Sequence, residues 1–135
     1  MQAAAAELPN LVCLGWVSRD ALLAEMDRAD LLVLPSVVES FGTVALEAMA
    51  RERLALVTPT CGIVEWPDLE KALYQFDADE ELAAAIRRIA ELPAESRREK
   101  AHSARLAALE LNENSLMHWF GILEVGDAGK NDGPA

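Results

Sequence analysis

Residues 31–58 read LLVLPSVVESFGTVALEAMARERLALVT. Leu31 to Pro35 form a continuous apolar run stopped by proline, the pattern of a strand buried on both faces. Leu54 to Thr58, LALVT, repeat that pattern. Between the two runs, Val44, Leu46, Ala48 and Met49 supply an apolar face at helical spacing, which predicts a helix from about Thr43 to Arg51. Strand, loop, helix and strand in that order predict parallel strands joined by a crossover helix.

Working outward, the same alternation continues. Leu11 to Leu14, LVCL, predicts a further strand, and Gly15 a tight turn after it. Ser18 is placed to N-cap a helix over 19–29, with Leu22, Leu23 and Met26 on one face. Residues 1–8 read as the end of a helix broken by Pro9 and Asn10. After Thr58, residues 59–62 make a loop and Ala72 to Phe76 predict a fourth strand. Asp79 is expected to N-cap a helix that stops at Pro93, residues 94–111 form a second helix, and Ser115 opens a third. The tail 126–135 holds three of the seven glycines and is expected to be disordered. The predicted fold class is therefore α/β, a three-layer Rossmann-like parallel sheet covered by helices, in a single domain over residues 1–125.

Composition narrows the function. The chain has 135 residues, 23 acidic and 12 basic side chains and a net charge of −11. Both halves are acidic, so no basic half is available to track a nucleic-acid backbone. An anionic bilayer repels such a surface unless a local basic patch overrides the repulsion. No apolar run approaches the ~20 residues of a membrane span, and the first residues lack the pattern of a signal peptide. Cys13 and Cys61 are alone, with no ligand cluster around either. They read as two small half-buried thiols in a reducing, cytoplasmic setting, with no metal site and no disulfide. A dinucleotide fingerprint is absent, which disfavours oxidoreductase chemistry. A phospho-accepting receiver domain is disfavoured as well, because the strand that should end in Asp ends in Pro35.

Ligands of open parallel sheets sit beyond the carboxyl ends of the strands. The loop leaving Leu31–Pro35 carries Ser36, Glu39, Ser40 and Phe41, then Gly42 ahead of a helix whose first amides lack partners. Such a helix end favours phosphate. Glu39 and Glu47 are acceptors suited to sugar hydroxyls. Together they suit a nucleotide sugar. Taken singly, Glu39 is also a plain helix-dipole partner and Glu47 a solvated helix residue, so the weight lies on the whole string.

That string, Pro35-Ser36, Glu39-Ser40-Phe41-Gly42 and Glu47-Ala48-Met49-Ala50, resembles the E-x7-E signature of glycosyltransferase family 4. These are retaining enzymes of GT-B fold. The resemblance extends over about residues 9–124, through LVCLGWVSRDALLAEMDRADLLVLPS on one side and Asp77-Ala78-Asp79-Glu80-Glu81-Leu82 on the other. It implies the C-terminal, donor-binding part of such an enzyme. Glu39 would hold donor-sugar hydroxyls as the catalytic-site carboxylate. Ser40 and the backbone amides of Phe41, Gly42 and Thr43 would meet the sugar and the distal phosphate. Glu47 would bind the ribose. Gly15, Ser36 and Gly62 would lie near the nucleotide. The implied substrate is a UDP-, GDP- or ADP-sugar, with no cofactor and no metal.

Three departures from the family pattern shape further expectations. Arg51-Glu52-Arg53 replaces the usual Gly and Pro after the helix, so that turn must close by another route. Cys61-Gly62-Ile63-Val64-Glu65 replaces a Gly-Gly-x-x-Glu motif. The family's first two strands of this domain, its diphosphate-binding Arg and Lys, and its acceptor domain find no counterpart. The chain is thus expected to be truncated on its N-terminal side, with an open sheet edge that a missing N-terminal half or a second copy covers. Weak donor binding and no turnover are expected of it alone. It would be cytoplasmic, or membrane-peripheral in a longer protein. The alternative is a non-catalytic nucleotide-sugar-binding or subunit-docking module. The basic residues Arg87, Arg88, Arg97, Arg98, Lys100 and Arg105 alternate with Glu91, Glu95 and Glu99. They read as a solvated helical face rather than a patch for an anionic lipid.

Overall fold

A computed structural model describes residues 8–77 and 79–128, with burial and side-chain contacts through Leu111. In chain order the elements are α1 (Arg19–Arg28), β1 (Leu31–Leu34), α2 (Thr43–Ala50), β2 (Leu54–Val57) and a 3-10 turn (Gly62–Glu65). Then follow α3 (Pro67–Ala72), β3 (Tyr74–Gln75), α4 (Leu82–Ala90) and α5 (Ala94–Ala128). The strands form one parallel sheet in the order β1-β2-β3. Leu31 is opposite Leu54 and Leu34 opposite Val57, so the two hydrophobic runs align end to end.

β2 is the central strand and all four of its residues are buried. Side chains alternate across a strand, and β2 feeds two apolar layers accordingly. Ala55 and Val57 pack with Ala45 and Met49 of α2, Leu69 of α3 and Ala104 and Ala108 of α5. Leu54 and Leu56 pack with Ala85 and Ile89 of α4 and with Ala101. Helices therefore cover both faces, the three-layer α/β arrangement expected. Among the described residues no helix is long and apolar enough to cross a membrane.

The turn without Gly or Pro closes as a Schellman motif. Arg53 N donates to Ala48 O and Glu52 N to Met49 O, both at 2.9 Å. Glu52 occupies the left-handed position, φ 61°, that glycine usually fills.

Several local expectations are corrected. Leu11–Leu14 forms no strand: Leu11, Val12 and Leu14 are exposed, and the outer edge of β1 pairs with nothing among the described residues. An apolar run signals burial, but a strand also needs a neighbouring backbone to bond. The fourth strand shrinks to Tyr74–Gln75 because α3, opened by Pro67 at its first turn, takes the residues before it. Asp79 does not cap a helix. It adopts φ 60° in a turn, and α4 starts behind Glu81. The two helices expected over 94–111 and from Ser115 are one, α5. The polar residues 112–114 weaken a helix only slightly, and no Pro or Gly interrupts it before Gly121. The thiols are not half-buried alike: Cys61 is buried and Cys13 exposed. The helix expected at the N-terminus falls outside the described residues through residue 7, as does the expected tail from residue 129.

Candidate functional site

The candidate site is built where β1 and β2 end. Pro35 stops β1 and starts a loop to Gly42. Thr58 starts the loop after β2. These two loops are stapled together. Thr58 Oγ1 donates to Ser36 O at 2.6 Å, and Thr60 Oγ1 to Val37 O at 2.7 Å. Gly62 N donates to Glu39 O at 2.9 Å and Ile63 N to Phe41 O at 2.8 Å. Glu39 and Cys61 form a parallel β-bridge. The backbone under Glu39, Ser40 and Phe41 is therefore fixed from one side, which pre-positions the Glu39 side chain.

The staple leaves no room for side chains at two glycines. A Cβ on Gly62 would stand 2.0 Å from Ser40 O. A Cβ on Gly42 would stand 2.6 Å from Cys61 Sγ, and Gly42 is in the left-handed region at φ 92°. Gly62, expected near the nucleotide, acts here as the residue that lets the second loop touch the first. Phe41 meets Trp66 edge-to-face, ring centroids 6.3 Å apart, which anchors the loop on the 3-10 turn.

Gly42 is the N-cap of α2 and contributes no side-chain cap; no acidic residue occupies the first turn. The first helical bond runs from Ala45 N to Gly42 O at 2.9 Å. The amides of Thr43 and Val44 precede it and face outward from the helix end, where the helix dipole is positive. Thr43 and Ser40 are exposed, while Glu39 and Ser36 are half-buried. The Glu39 carboxylate makes no hydrogen bond or ion pair with the described residues. One turn into α2, Glu47 Oε1 accepts from Arg19 Nη2 at 2.9 Å. Arg19 opens α1, just after the Gly15 turn, whose φ is 67°. The ion pair thus ties the Gly15 segment to α2.

The structure brings Ser36, Glu39, Ser40, Phe41, Gly42, Thr43 and Gly62 into one loop cluster. Glu47 stands beside it on α2, and Gly15 is linked through α1. Sequence reasoning missed Arg19, Thr58, Thr60 and Trp66. The threonines had a usable signal, since Thr58-Pro59-Thr60 directly follows a buried strand at the ligand end of the sheet. Arg19 had none, because a contact across 28 residues leaves no mark on either neighbourhood. Among the described residues, no group of three His, Cys, Asp or Glu side chains is placed to hold a metal.

The arrangement can seat an anion on the α2 end and accept hydroxyl protons at two carboxylates. The chain as a whole is similar to known proteins. The family described as Glycosyl transferases group 1 matches residues 1–107. An uncharacterized glycosyltransferase of Methanocaldococcus jannaschii is 46% identical over 56 residues, which are 42% of this chain and 14% of that protein. Sucrose-phosphate synthase from Thermosynechococcus elongatus shares the fold with a TM-score of 0.74 at 24% identity, over 95% of this chain and 34% of its own. The chain therefore spans well under half the length of these relatives. With most of its length matched to the family model, the chain belongs to the group 1 glycosyl transferases.

Proposed function

We infer that the chain is the donor-binding part of a retaining, family 4-like glycosyltransferase and binds a nucleoside diphosphate sugar. The observation that carries this reading is the stapled Glu39–Thr43 loop, which holds an unpartnered carboxylate beside an uncapped helix end. Glu39 accepts hydrogen bonds from donor-sugar hydroxyls. The amides of Phe41, Gly42 and Thr43 and the exposed Ser40 hydroxyl receive the sugar and the distal phosphate, and the helix end stabilises charge on the departing diphosphate. Glu47 keeps Oε2 for the ribose hydroxyls while Arg19 holds Oε1. Ser36 and the Gly15 turn flank the nucleotide. No residue is assigned as a nucleophile, and turnover requires an acceptor-binding half.

Donor selection among UDP-, GDP- and ADP-sugars is tested by titration calorimetry on the chain, on Glu39→Ala and on Glu47→Ala. Binding of one donor class, weakened by each substitution, supports the reading. A second reading, a non-catalytic nucleotide-sugar-binding or docking module, is favoured by one observation. Arg19, the guanidinium bonded at the candidate site, is engaged with Glu47. A partner half or a second copy on the open edge of β1 is part of both readings. Light scattering across a concentration series tests it.

A further inference from the structure

A cavity lies at the amino ends of β1 and β2, opposite the candidate site. Its volume is about 260 Å³, and Asp30, Glu52, Arg53, Ala94, Arg97 and Arg98 line it. A hollow of about 340 Å³ shares Glu52, Arg53 and Arg98 with it and adds Arg51 and Arg105. Five of the chain's 12 basic side chains thus gather in one place, against two lining carboxylates, on a molecule of net charge −11.

The ordinary roles of surface arginines account for only part of this cluster. Arg51 is paired with Asp27 and Arg98 with Glu95. Arg105 Nη1 donates to Ala50 O at 3.1 Å, a cation on the carboxyl end of α2, where the helix dipole favours it. Glu52 lies 3.6 Å from His102. Among the described residues, Arg53, Arg97 and Arg105 have no carboxylate within 4.0 Å. Arg53 is half-buried, its Nη1 donates to Ala29 O at 3.4 Å, and its Nε is enclosed without an acceptor among the described residues. The positive end of α5 carries Glu95, which is paired with Arg98, and Arg97 adds a cation there with no carboxylate of its own within 4.0 Å among the described residues. The first amide bonded back is that of Arg97, to Pro93 O, so the earlier amides of the turn remain available beside Ala94.

We propose that this cavity is a binding site for a phosphate-bearing anion, remote from the donor site. The Arg53, Arg97 and Arg98 side chains line it, together with Ala94, where the opening amides of α5 lie. The anion offsets the cations gathered there. A phosphate monoester or diphosphate fits this chemistry whether it is free or the headgroup of an anionic lipid. The site stands independently of the donor reading, since it shares no residue with it.

Calorimetry of the full chain with inorganic diphosphate tests the first source, and sedimentation with phosphatidylcholine vesicles, with and without phosphatidic acid, tests the second. The variants are R53Q/R97Q and, should that pair unfold, the exposed-position reversal R98E. Each is expected to weaken diphosphate binding by at least about tenfold, the loss of one or more charge-assisted hydrogen bonds. Diphosphate binding that the variants abolish supports a free phosphate ligand. Sedimentation only with phosphatidic acid, lost in the same variants, supports a lipid headgroup. Absence of both, or binding that survives R53Q/R97Q and R98E unchanged, overturns the proposal. Loss of donor-sugar binding in Glu39→Ala with diphosphate binding intact separates the two sites.

Discussion

Arg19 Nη2 and Glu47 Oε1 lie 2.9 Å apart, joining the first residue of α1 to the middle of α2. The pair is partly solvent-exposed, Arg19 at 69% and Glu47 at 30% of side-chain surface. Its worth to stability is therefore below about 1 kcal/mol. Its expected effect is on orientation of the carboxylate. Arg19→Ala should weaken nucleoside diphosphate binding by up to about fivefold, the equivalent of an exposed pair worth at most about 1 kcal/mol. In the Glu47→Ala background the same change should add nothing, so the double-mutant cycle by calorimetry is expected to be non-additive.

The two glycines of the staple carry a larger mechanical burden. Gly62→Ala places a methyl 2.0 Å from a backbone carbonyl, and Gly42→Ala combines a thiol clash with a left-handed φ. Each is expected to cost about 2–4 kcal/mol, read as the overpacking and left-handed penalties together for Gly42 and a forced backbone shift for Gly62. Urea unfolding midpoints check this. A loss below about 0.5 kcal/mol at both would show that the loops are not held against each other.

Glu52 is the reverse case. It holds the left-handed C′ position of the Schellman turn with a β-carbon that dislikes it. Glu52→Gly should raise stability by about 1 kcal/mol, less whatever the exposed His102 contact contributes. Thermal denaturation by circular dichroism measures the sign directly.

Arg88 grips Glu80 through two hydrogen bonds, Nε to Oε1 at 2.9 Å and Nη2 to Oε2 at 2.8 Å, and also reaches Gln75 O at 3.0 Å. The guanidinium, helped by the Asp77 amide, lowers the Glu80 pKa from 4.5 to about 2. A carboxylate depressed in the folded state contributes stability above its unfolded pKa, and loses it as protons bind. The contribution is thus full above about pH 4.5 and disappears as pH falls toward 2. Glu80→Gln should flatten the stability-versus-pH curve across that window and leave its shape above pH 6 unchanged.

The stretch 31–57 was legible almost to the residue, because two buried runs and an intervening helical face admit one arrangement. The loop around Glu39 was legible for the same reason: the fold class places it at the ligand end. Leu11–Leu14 was not, since its apolar side chains say nothing about whether a strand edge lies within reach. α3 was hidden inside Pro67–Ala72, too short for periodicity to register. Sequence spacing alone could not place Arg97, Arg98 and Arg105 around hollows shared with Arg51 and Arg53. Only the Schellman turn at Glu52 brings those two beside α5.

The most direct measurement compares a nucleoside diphosphate sugar with its bare nucleoside diphosphate on the chain and two variants, by calorimetry. The chain should prefer the sugar-bearing ligand. Glu39→Ala should erase that preference while keeping the nucleotide, and Glu47→Ala should weaken both ligands together. No binding of any UDP, GDP or ADP ligand, or a sugar preference untouched by Glu39→Ala, would contradict donor binding at the Glu39–Thr43 loop.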